Sequence, residues 1–364
     1  MKIIFHLNSM GRGGAEHVVS ILSQKLSEAG NDVIVATQWY SENEYKLADR
    51  VKRLDLALTD EEEKKGRVSK AFTRLFKLRN CFKNEKPDLV ISFCSKANFR
   101  SAFSLIGTKT PLIVSVRNNP VEDYKGHFLA TKIMEKKACG CVFQTPDAMS
   151  FFSKPFQDKS RIIFNPIAQE YLDPQTKRHN AESRRILNVG RISRQKNQLL
   201  LLKAFKRIAD KYPEYRLTIF GDVQEKDVYE EMTGFVKNNN LEGRVEFPGS
   251  IDDIKSELEE TTLFVLSSDF EGMPNSLIEA MAMGVPCIST DCPCGGSRML
   301  IDNEKNGLLV PIKDEEALFK AMDRVLGNPE LSESFGEQAV KVLDKVNPDK
   351  ICKEWEDFIR EKIK

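Results

Sequence analysis

Short apolar runs rich in Val and Ile recur along the first half of the chain, at 3–7, 32–37, 89–93, 112–116 and 141–144. Unbroken apolar runs of that length predict strands buried on both faces of a sheet. Between them, 15–29 and 68–83 place apolar residues at helical spacing. This alternation predicts an α/β domain whose parallel sheet is covered by helices on both faces. The rhythm then restarts, with strands expected at 185–190, 216–221, 263–266, 286–290 and 308–310 and helices at 198–209, 278–283 and 315–326. The stretch 173–182 is polar, aperiodic and contains Pro174, which predicts a linker. The expected division is 1–168 for one doubly wound domain, 169–346 for a second, and 347–364 for a closing helix. In that helix Ile351, Trp355, Phe358, Ile359 and Ile363 share a face. The face can cover either domain; the N-terminal one is its expected place. Doubly wound sheets bind ligands outside their carboxyl ends, so a cleft between the two domains is the expected site.

Composition agrees with two globular domains: 364 residues, 41% apolar and 30% charged. No window approaches the ~18 apolar residues of a membrane-spanning helix, and the apolar run at the start is too short for a signal-peptide core. A cytoplasmic chain is therefore expected, and its eight cysteines are expected to be reduced. Cys139-x-Cys141 and Cys292-x-Cys294 lack the two-residue gap usual in zinc sites. His6, His17, His127 and His179 are scattered, so no metal is expected. The net charge of +1 hides an asymmetry. Residues 1–166 hold 27 Lys and Arg against 18 Asp and Glu, which is +9, and 167–364 hold 28 against 36, which is −8. An anionic partner or surface for the first half, or attraction between the halves, would account for the split.

The densest chemical signal is 268–286, Ser-Asp-Phe-Glu-Gly-Met-Pro-Asn-Ser-Leu-Ile-Glu-Ala-Met-Ala-Met-Gly-Val-Pro. A loop ends at Gly272 and Pro274, and Asn275 or Ser276 is expected to cap a helix. The free N–H groups of its first turn suit an anion. Glu279 falls one turn in, where it can accept hydrogen bonds from hydroxyls, and Glu271 precedes the cap, free to point into the cleft. Each glutamate alone reads as a solvated residue beside an ordinary helix.

Taken together, Glu271 and Glu279 within Glu-Gly-Met-Pro-Asn-Ser-Leu-Ile-Glu-Ala-Met-Ala resemble the paired-glutamate motif of glycosyltransferase family 4. The resemblance continues in Val189-Gly190-Arg191-Ile-Ser-Arg-Gln-Lys196-Asn197, Gly13-Gly14-Ala15-Glu16, Phe143-Gln144-Thr145, Phe164-Asn165-Pro166 and Asn306-Gly307, in order over essentially the whole chain. It implies the GT-B fold, two Rossmann-like doubly wound domains with an interdomain cleft, and a retaining, metal-independent transferase. It also implies roles. Arg191 and Lys196 would bind the donor diphosphate and balance its departing charge. Glu279 would hold the ribose, and Glu271 the donor sugar. The backbone of Met273, Pro274, Asn275, Ser276 and Leu277 would face sugar and phosphate, with Gly190 ending a strand beside them. Gly14 would let a helix N-terminus approach phosphate, although without further context a tight strand-to-helix turn explains it equally. Gly221-Asp222 and Ser250-Ile251 would reach the base. The glycines of Cys292-Pro-Cys294-Gly295-Gly296 would offer further N–H groups to the donor. Many family members have a histidine near the end of the fourth strand, where this chain reads Ser115-Val116-Arg117-Asn118-Asn119-Pro120. Arg117 and Asn118 are candidates to contact acceptor or donor sugar; a structural ion pair of Arg117 with Glu122 is the alternative.

The resemblance implies transfer of a sugar from a UDP-linked donor to a lipid-linked oligosaccharide in bacterial surface polysaccharide synthesis, such as capsule or O-antigen. The Arg-Asn-Asn-Pro and Cys-Pro-Cys-Gly-Gly variants look most like members using UDP-galactose or UDP-N-acetylgalactosamine. A GT-B nucleotide-sugar epimerase and a non-catalytic nucleotide-sugar-binding subunit are the alternatives. A dinucleotide dehydrogenase is excluded for want of the glycine fingerprint. Residues 68–83 are basic and amphipathic, and most of their apolar side chains are expected to cover the sheet. With Lys132, Lys136 and Lys137 they fit a peripheral protein resting on an anionic membrane surface, at the inner face of the plasma membrane. Nucleic acid is not an expected partner.

Overall fold

Lys2–Leu7 (β1) opens the chain with five buried residues, as expected of a strand covered on both faces. The computed structural model describes residues 1–41, 43–173, 182–251 and 253–363. The expected linker at 173–182 lies outside these, its two end residues excepted. The chain forms two units, one of Met1–Pro166 with Pro348–Lys364 and one of Ile167–Asn347.

In the first unit β1 is followed by Asp32–Thr37 (β2), Lys52–Asp55 (β3), Leu89–Phe93 (β4), Leu112–Ser115 (β5), Gly140–Phe143 (β6) and Arg161–Ile162 (β7). They build one sheet in the order β3-β2-β1-β4-β5-β6-β7, with parallel pairing throughout. The second unit repeats the plan with Arg185–Val189 (β8), Arg216–Phe220 (β9), Val245–Gly249 (β10), Leu263–Leu266 (β11), Cys287–Thr290 (β12) and Leu308–Val310 (β13). Their order is β10-β9-β8-β11-β12-β13, again parallel. This is the GT-B architecture, two parallel-sheet α/β domains. In each sheet the strand order reverses beside the first strand, between β1 and β4 and between β8 and β11. Loops leaving the carboxyl ends there splay apart and leave a crevice.

Parallel strands need crossovers, and helices such as Gly14–Glu28, Arg67–Glu85, Ser95–Ser104, Gln198–Lys211 and Glu315–Leu326 supply them. Each therefore runs back against the strands and starts at the sheet's carboxyl edge. The closing helix, Pro348–Lys362, buries Ile351, Trp355, Phe358 and Ile359 in the first unit's core. There the Trp355 ring stacks on Phe93, centroids 5.9 Å apart.

Three strands carry no apolar run in the sequence: β3, β7 and β10. Each stands at an end of its sheet, where one edge stays open and continuous burial is not required; Pro248 in β10 fits such a place. The helix Arg67–Glu85 departs further from expectation. Only Leu78, Cys81 and Phe82 are buried, whereas Val68, Phe72 and Phe76 face outward. Its cations are not simply solvated either. Lys70 and Arg74 pair with Glu63 at 3.2 and 2.6 Å, and Lys77 pairs with Glu62 at 2.5 Å.

Candidate functional site

The carboxyl ends of β8 and β11 carry the two loops that hold most of the candidate residues. The strands are tied at the switch point by Asn188, whose buried Nδ2 donates to the Val265 carbonyl at 2.7 Å. Gly190 follows β8, and a Cβ there would press on the Lys196 stem, 3.1 Å from Cε. Glycine thus lets the lysine lie flat across the strand end. A Cβ at Gly221 would run into the Gly190 carbonyl, so glycine at 221 serves the fit of β9 against β8. Gln198 Nε2 donates to the carbonyls of Gly190 and Arg191 at 3.1 and 3.0 Å. Asn197, in the left-handed conformation at φ 44°, caps the helix Gln198–Lys211 and donates Nδ2 to Asp269 at 2.8 Å. Gln195 Nε2 reaches the Phe270 carbonyl at 3.0 Å. The two loops are therefore cross-linked by the side chains of Gln195 and Asn197.

The centre of this arrangement is an ion pair. Lys196 Nζ lies 2.5 Å from Glu271 Oε1, their side chains 14% and 7% exposed. The same oxygen accepts the Ser268 hydroxyl at 2.6 Å. Ser268 is steadied in turn, since its carbonyl accepts Thr290 Oγ1 at 2.5 Å. Glu271 is thus not free to swing, contrary to the sequence-based expectation. With Oε1 occupied twice, Oε2 is the oxygen left to meet an incoming hydroxyl. Arg191 is exposed, and its guanidinium makes no hydrogen bond or ion pair among the described residues.

The helix expected over 278–283 spans Asn275–Ala282 and is capped by Pro274, not by Asn275 or Ser276. Proline's fixed φ suits a helix start, and the Ser276 hydroxyl is used elsewhere, donating to the Val189 carbonyl at 3.1 Å. Met273, Pro274 and Leu277 are buried, while Asn275 and Ser276 are half-buried. Glu279 is buried too. Burial raises its carboxyl pKa to about 8, and the charge of Glu170 pushes in the same direction, so it is mostly protonated at neutral pH. Neither glutamate is the solvated residue that its local sequence suggests. Gly296 is explained by packing, since a Cβ there would strike the Gly272 carbonyl. Its place is to admit the Glu271–Met273 backbone. Ile251 is half-buried beyond the end of β10.

Gly14, Arg117 and Asn118 belong to the first unit. Gly14 begins the helix Gly14–Glu28, and the Glu16 carboxylate folds back over Gly13 at its start. Arg117 leaves the end of β5. Its NH2 donates to Asn165 Oδ1 at 2.6 Å, its NH1 to Ser115 Oγ at 3.3 Å, and its guanidinium stands 5.0 Å from the Phe93 ring centroid. Gln144 donates to the same Asn165 oxygen at 2.7 Å. The alternative partner, Glu122, makes no ion pair with it. Burial lowers the Arg117 pKa to about 10, which leaves it charged at neutral pH. Nearby Asn118 is half-buried. None of the eight cysteines forms a disulfide. Among the described residues no three His, Cys, Asp or Glu side chains gather where they could hold a metal ion.

Sequence reasoning passed over Ser268, Asn188 and Gln198. Ser268 had a signal: a hydroxyl three residues before a candidate carboxylate, in the same loop.

Residues 12–145 match the family described as Glycosyltransferase Family 4, and residues 171–342 match Glycosyl transferases group 1. An uncharacterised glycosyltransferase of Methanocaldococcus jannaschii is 31% identical over 255 residues, 64% of this chain and 62% of that one. A Campylobacter jejuni protein is 28% identical over 360 residues, 98% of this chain and 95% of that one. Its name describes an α-1,4-N-acetyl-D-galactosaminyltransferase acting on a diphospho-undecaprenol-linked glycan. Anabaena HepE, solved with UDP and glucose, shares the fold at a TM-score of 0.82 and 16% identity, covering 99% of this chain and 100% of that one.

Proposed function

A chain composed of a Glycosyltransferase Family 4 domain and a group 1 glycosyl transferase domain belongs to the glycosyltransferases, and on that premise we propose that it is a retaining, metal-independent hexosyltransferase. It moves a sugar from a UDP-linked donor to a lipid-linked oligosaccharide in bacterial surface polysaccharide synthesis. The observation that carries this reading is the shielded Lys196–Glu271 pair at the switch point of the second sheet, with Arg191 on the same loop making no side-chain ion pair among the described residues.

Transfer breaks the anomeric C–O bond to the diphosphate, forms one to an acceptor hydroxyl, and releases a nucleoside diphosphate together with the hydroxyl's proton. The departing diphosphate gains charge as the bond breaks. Lys196, held by Glu271, and the exposed Arg191 on the same loop are cations able to balance it, and preorganised charge is where catalysis is most effective. Glu271 Oε2 accepts hydrogen bonds from the donor sugar's hydroxyls, and Glu279 from the ribose. Arg117, held by Asn165, stands at the carboxyl edge of the first sheet as a contact for acceptor or sugar, with Asn118 next to it. Gly14 and Ile251 border the donor. N-acetylgalactosamine or galactose is the sugar this reading favours, and the name of the Campylobacter relative supports the former. A lipid-linked acceptor supports a peripheral location on the cytoplasmic face of the membrane as part of this reading. No helix among the described residues is long and apolar enough to cross it.

A donor panel tests the reading: saturation-transfer NMR against nucleotide sugars, followed by UDP release with a polyprenyl-diphosphate-linked acceptor. Selective contact with UDP-N-acetylgalactosamine or UDP-galactose is expected. Contact with no nucleoside diphosphate at all would defeat it.

A further inference from the structure

A cavity of about 420 Å³ opens in the second unit between the helices Gln198–Lys211 and Lys226–Asn238 and the turn that follows β13. Its volume is that of a small-molecule site. None of the residues assigned above to the donor lines it. The Asn197–Asp269 contact, which helps tie the two donor loops, forms part of its wall.

One end of the cavity is cationic. Lys203 is half-buried in its wall and makes no hydrogen bond or ion pair among the described residues. Lys313, in the left-handed conformation at φ 60°, holds Nζ 3.6 Å from Asp269 Oδ2, beyond hydrogen-bond reach. The helix Gln198–Lys211 begins here, and the N–H groups of Gln198 and Leu199 meet no acceptor among the described residues. Two ammonium groups beside a helix start suit a phosphate. Arg194 on the rim adds little, being paired with Asp227 and Glu225.

Gln198 indicates what the phosphate is attached to. The residue is fully buried and lines the cavity. Its Nε2 donates to the carbonyls of Gly190 and Arg191, which fixes the other end of the amide as the oxygen. That Oε1 is buried and has no donor among the described residues. Buried acceptors ordinarily have a partner, so the oxygen calls for a hydroxyl. Glu231, exposed and without an ion pair among the described residues, offers a second acceptor from the helix Lys226–Asn238. A bare phosphate would set its own charge against both acceptors, whereas a phosphorylated polyol brings hydroxyls to them.

We propose that this cavity is a second ligand site, separate from the donor site, that takes a sugar phosphate. The phosphate lies among Lys203, Lys313 and the helix start, and sugar hydroxyls donate to Gln198 Oε1 and Glu231.

Calorimetric titration of the full chain with the 6-phosphates of glucose, galactose and mannose, in saturating UDP, tests this. On the donor reading UDP fills the first site and leaves the cavity open. Saturable binding of at least one hexose phosphate is expected, with inorganic phosphate and free glucose each at least about tenfold weaker, since each lacks the contacts that the other makes. Lys203→Gln should weaken the hexose phosphate at least about tenfold, as expected for one hydrogen bond between charged groups. Lys313→Asn removes the other ammonium with a residue that tolerates the left-handed conformation, and should weaken binding in the same direction. Lys237→Gln, exposed on the same helix as Glu231 but outside the cavity, should change nothing. Lys196→Ala should lower the affinity for UDP and leave the hexose phosphate bound as before. No hexose-phosphate binding, undiminished binding in Lys203→Gln, or inorganic phosphate binding as tightly would each overturn the proposal, and so would loss of hexose-phosphate binding in Lys196→Ala. Failure of UDP to bind while the hexose phosphate still does would strike the donor reading alone.

Discussion

Lys196 and Glu271, seventy-five residues apart in the chain, meet at 2.5 Å between Nζ and Oε1. The pair spans the two loops that leave β8 and β11, so a contact in one place fixes both walls of the candidate donor site. It also presets the chemistry. The ammonium is held where a diphosphate can share it, and the carboxylate keeps its second oxygen for a sugar hydroxyl.

Lys196→Ala and Arg191→Ala should each depress turnover at least hundredfold. For Lys196 the lost charge-assisted contact in a shielded site amounts to ~3 kcal/mol. Initial rates of UDP release measure it. Near-normal rates in both variants would remove the two cations from the site.

Glu271→Ala should lower kcat while leaving the affinity for free UDP nearly unchanged, whereas Glu279→Ala should weaken UDP itself. Ser268→Ala should follow Glu271→Ala in direction but cost only about tenfold in kcat, of the order expected for one hydrogen bond to a charged group. Calorimetric titration with UDP, set beside kcat and KM, separates the three. Equal loss of UDP affinity at 271 and 279 would contradict the division of roles.

How much of this was legible follows from where burial leaves its mark. Strands covered on both faces, such as β1, β4, β8 and β11, must be largely apolar and are plain in the sequence. Lys52-Arg-Leu-Asp55 at the sheet's end has no such constraint and reads as loop. The helix 67–85 is apolar on two sides, with Leu78 and Phe82 inward and Phe72 and Phe76 outward. Periodicity alone does not say which side meets the sheet. The glutamates at 271 and 279 carried their motif, yet the hydroxyl that orients one is steadied by residue 290, and the burial that protonates the other is a product of the fold, reinforced by the charge of residue 170; both residues lie outside the motif. The Arg117 anchor, Asn165, is likewise forty-eight residues away.

Glu279 gives a pH dependence with a definite sign. Its carboxyl pKa rises from 4.5 to about 8 on folding, so the folded state holds a proton that the unfolded state has lost. Its contribution to stability is complete below about 4.5 and disappears as pH climbs through about 8. Glu279→Gln keeps the neutral side chain and should flatten that decline. Thermal midpoints from pH 4.5 to 8.5 for both proteins test this through their difference. The difference isolates Glu279 from His6 and His17, which burial depresses to about 3 and about 4 and whose contributions run the other way. Parallel curves would mean that Glu279 is ionised in the folded protein.

Transfer should persist in excess EDTA, since Arg191 and Lys196 supply the positive charge for the diphosphate and the sequence offers no Asp-x-Asp triplet to bring a metal to it. Loss of UDP release in EDTA, restored by manganese, would show that these two cations do not suffice.

Arg117 is the residue where a charge-preserving change is most informative. Its guanidinium does three things at once: it donates to Asn165, donates to Ser115 and lies against the Phe93 ring. A planar fork can do all three, whereas a lysine ammonium, a point charge on a flexible stem, cannot. If the charge alone matters, Arg117→Lys should retain most activity. If the guanidinium is a positioned contact for acceptor or sugar, Arg117→Lys should lower kcat at least tenfold and approach Arg117→Met. In both variants free UDP should bind as before, because Arg191, Lys196 and Glu279, the side chains assigned to diphosphate and ribose, lie in the second unit. Asn165→Ala supplies the control, since it removes the anchor and leaves the arginine. It should move kcat in the same direction by a smaller factor, and Asn165→Asp, which keeps the accepting oxygen, should recover part of the loss. Full activity in Arg117→Lys and Arg117→Met alike would reduce Arg117 to a structural cation over Phe93.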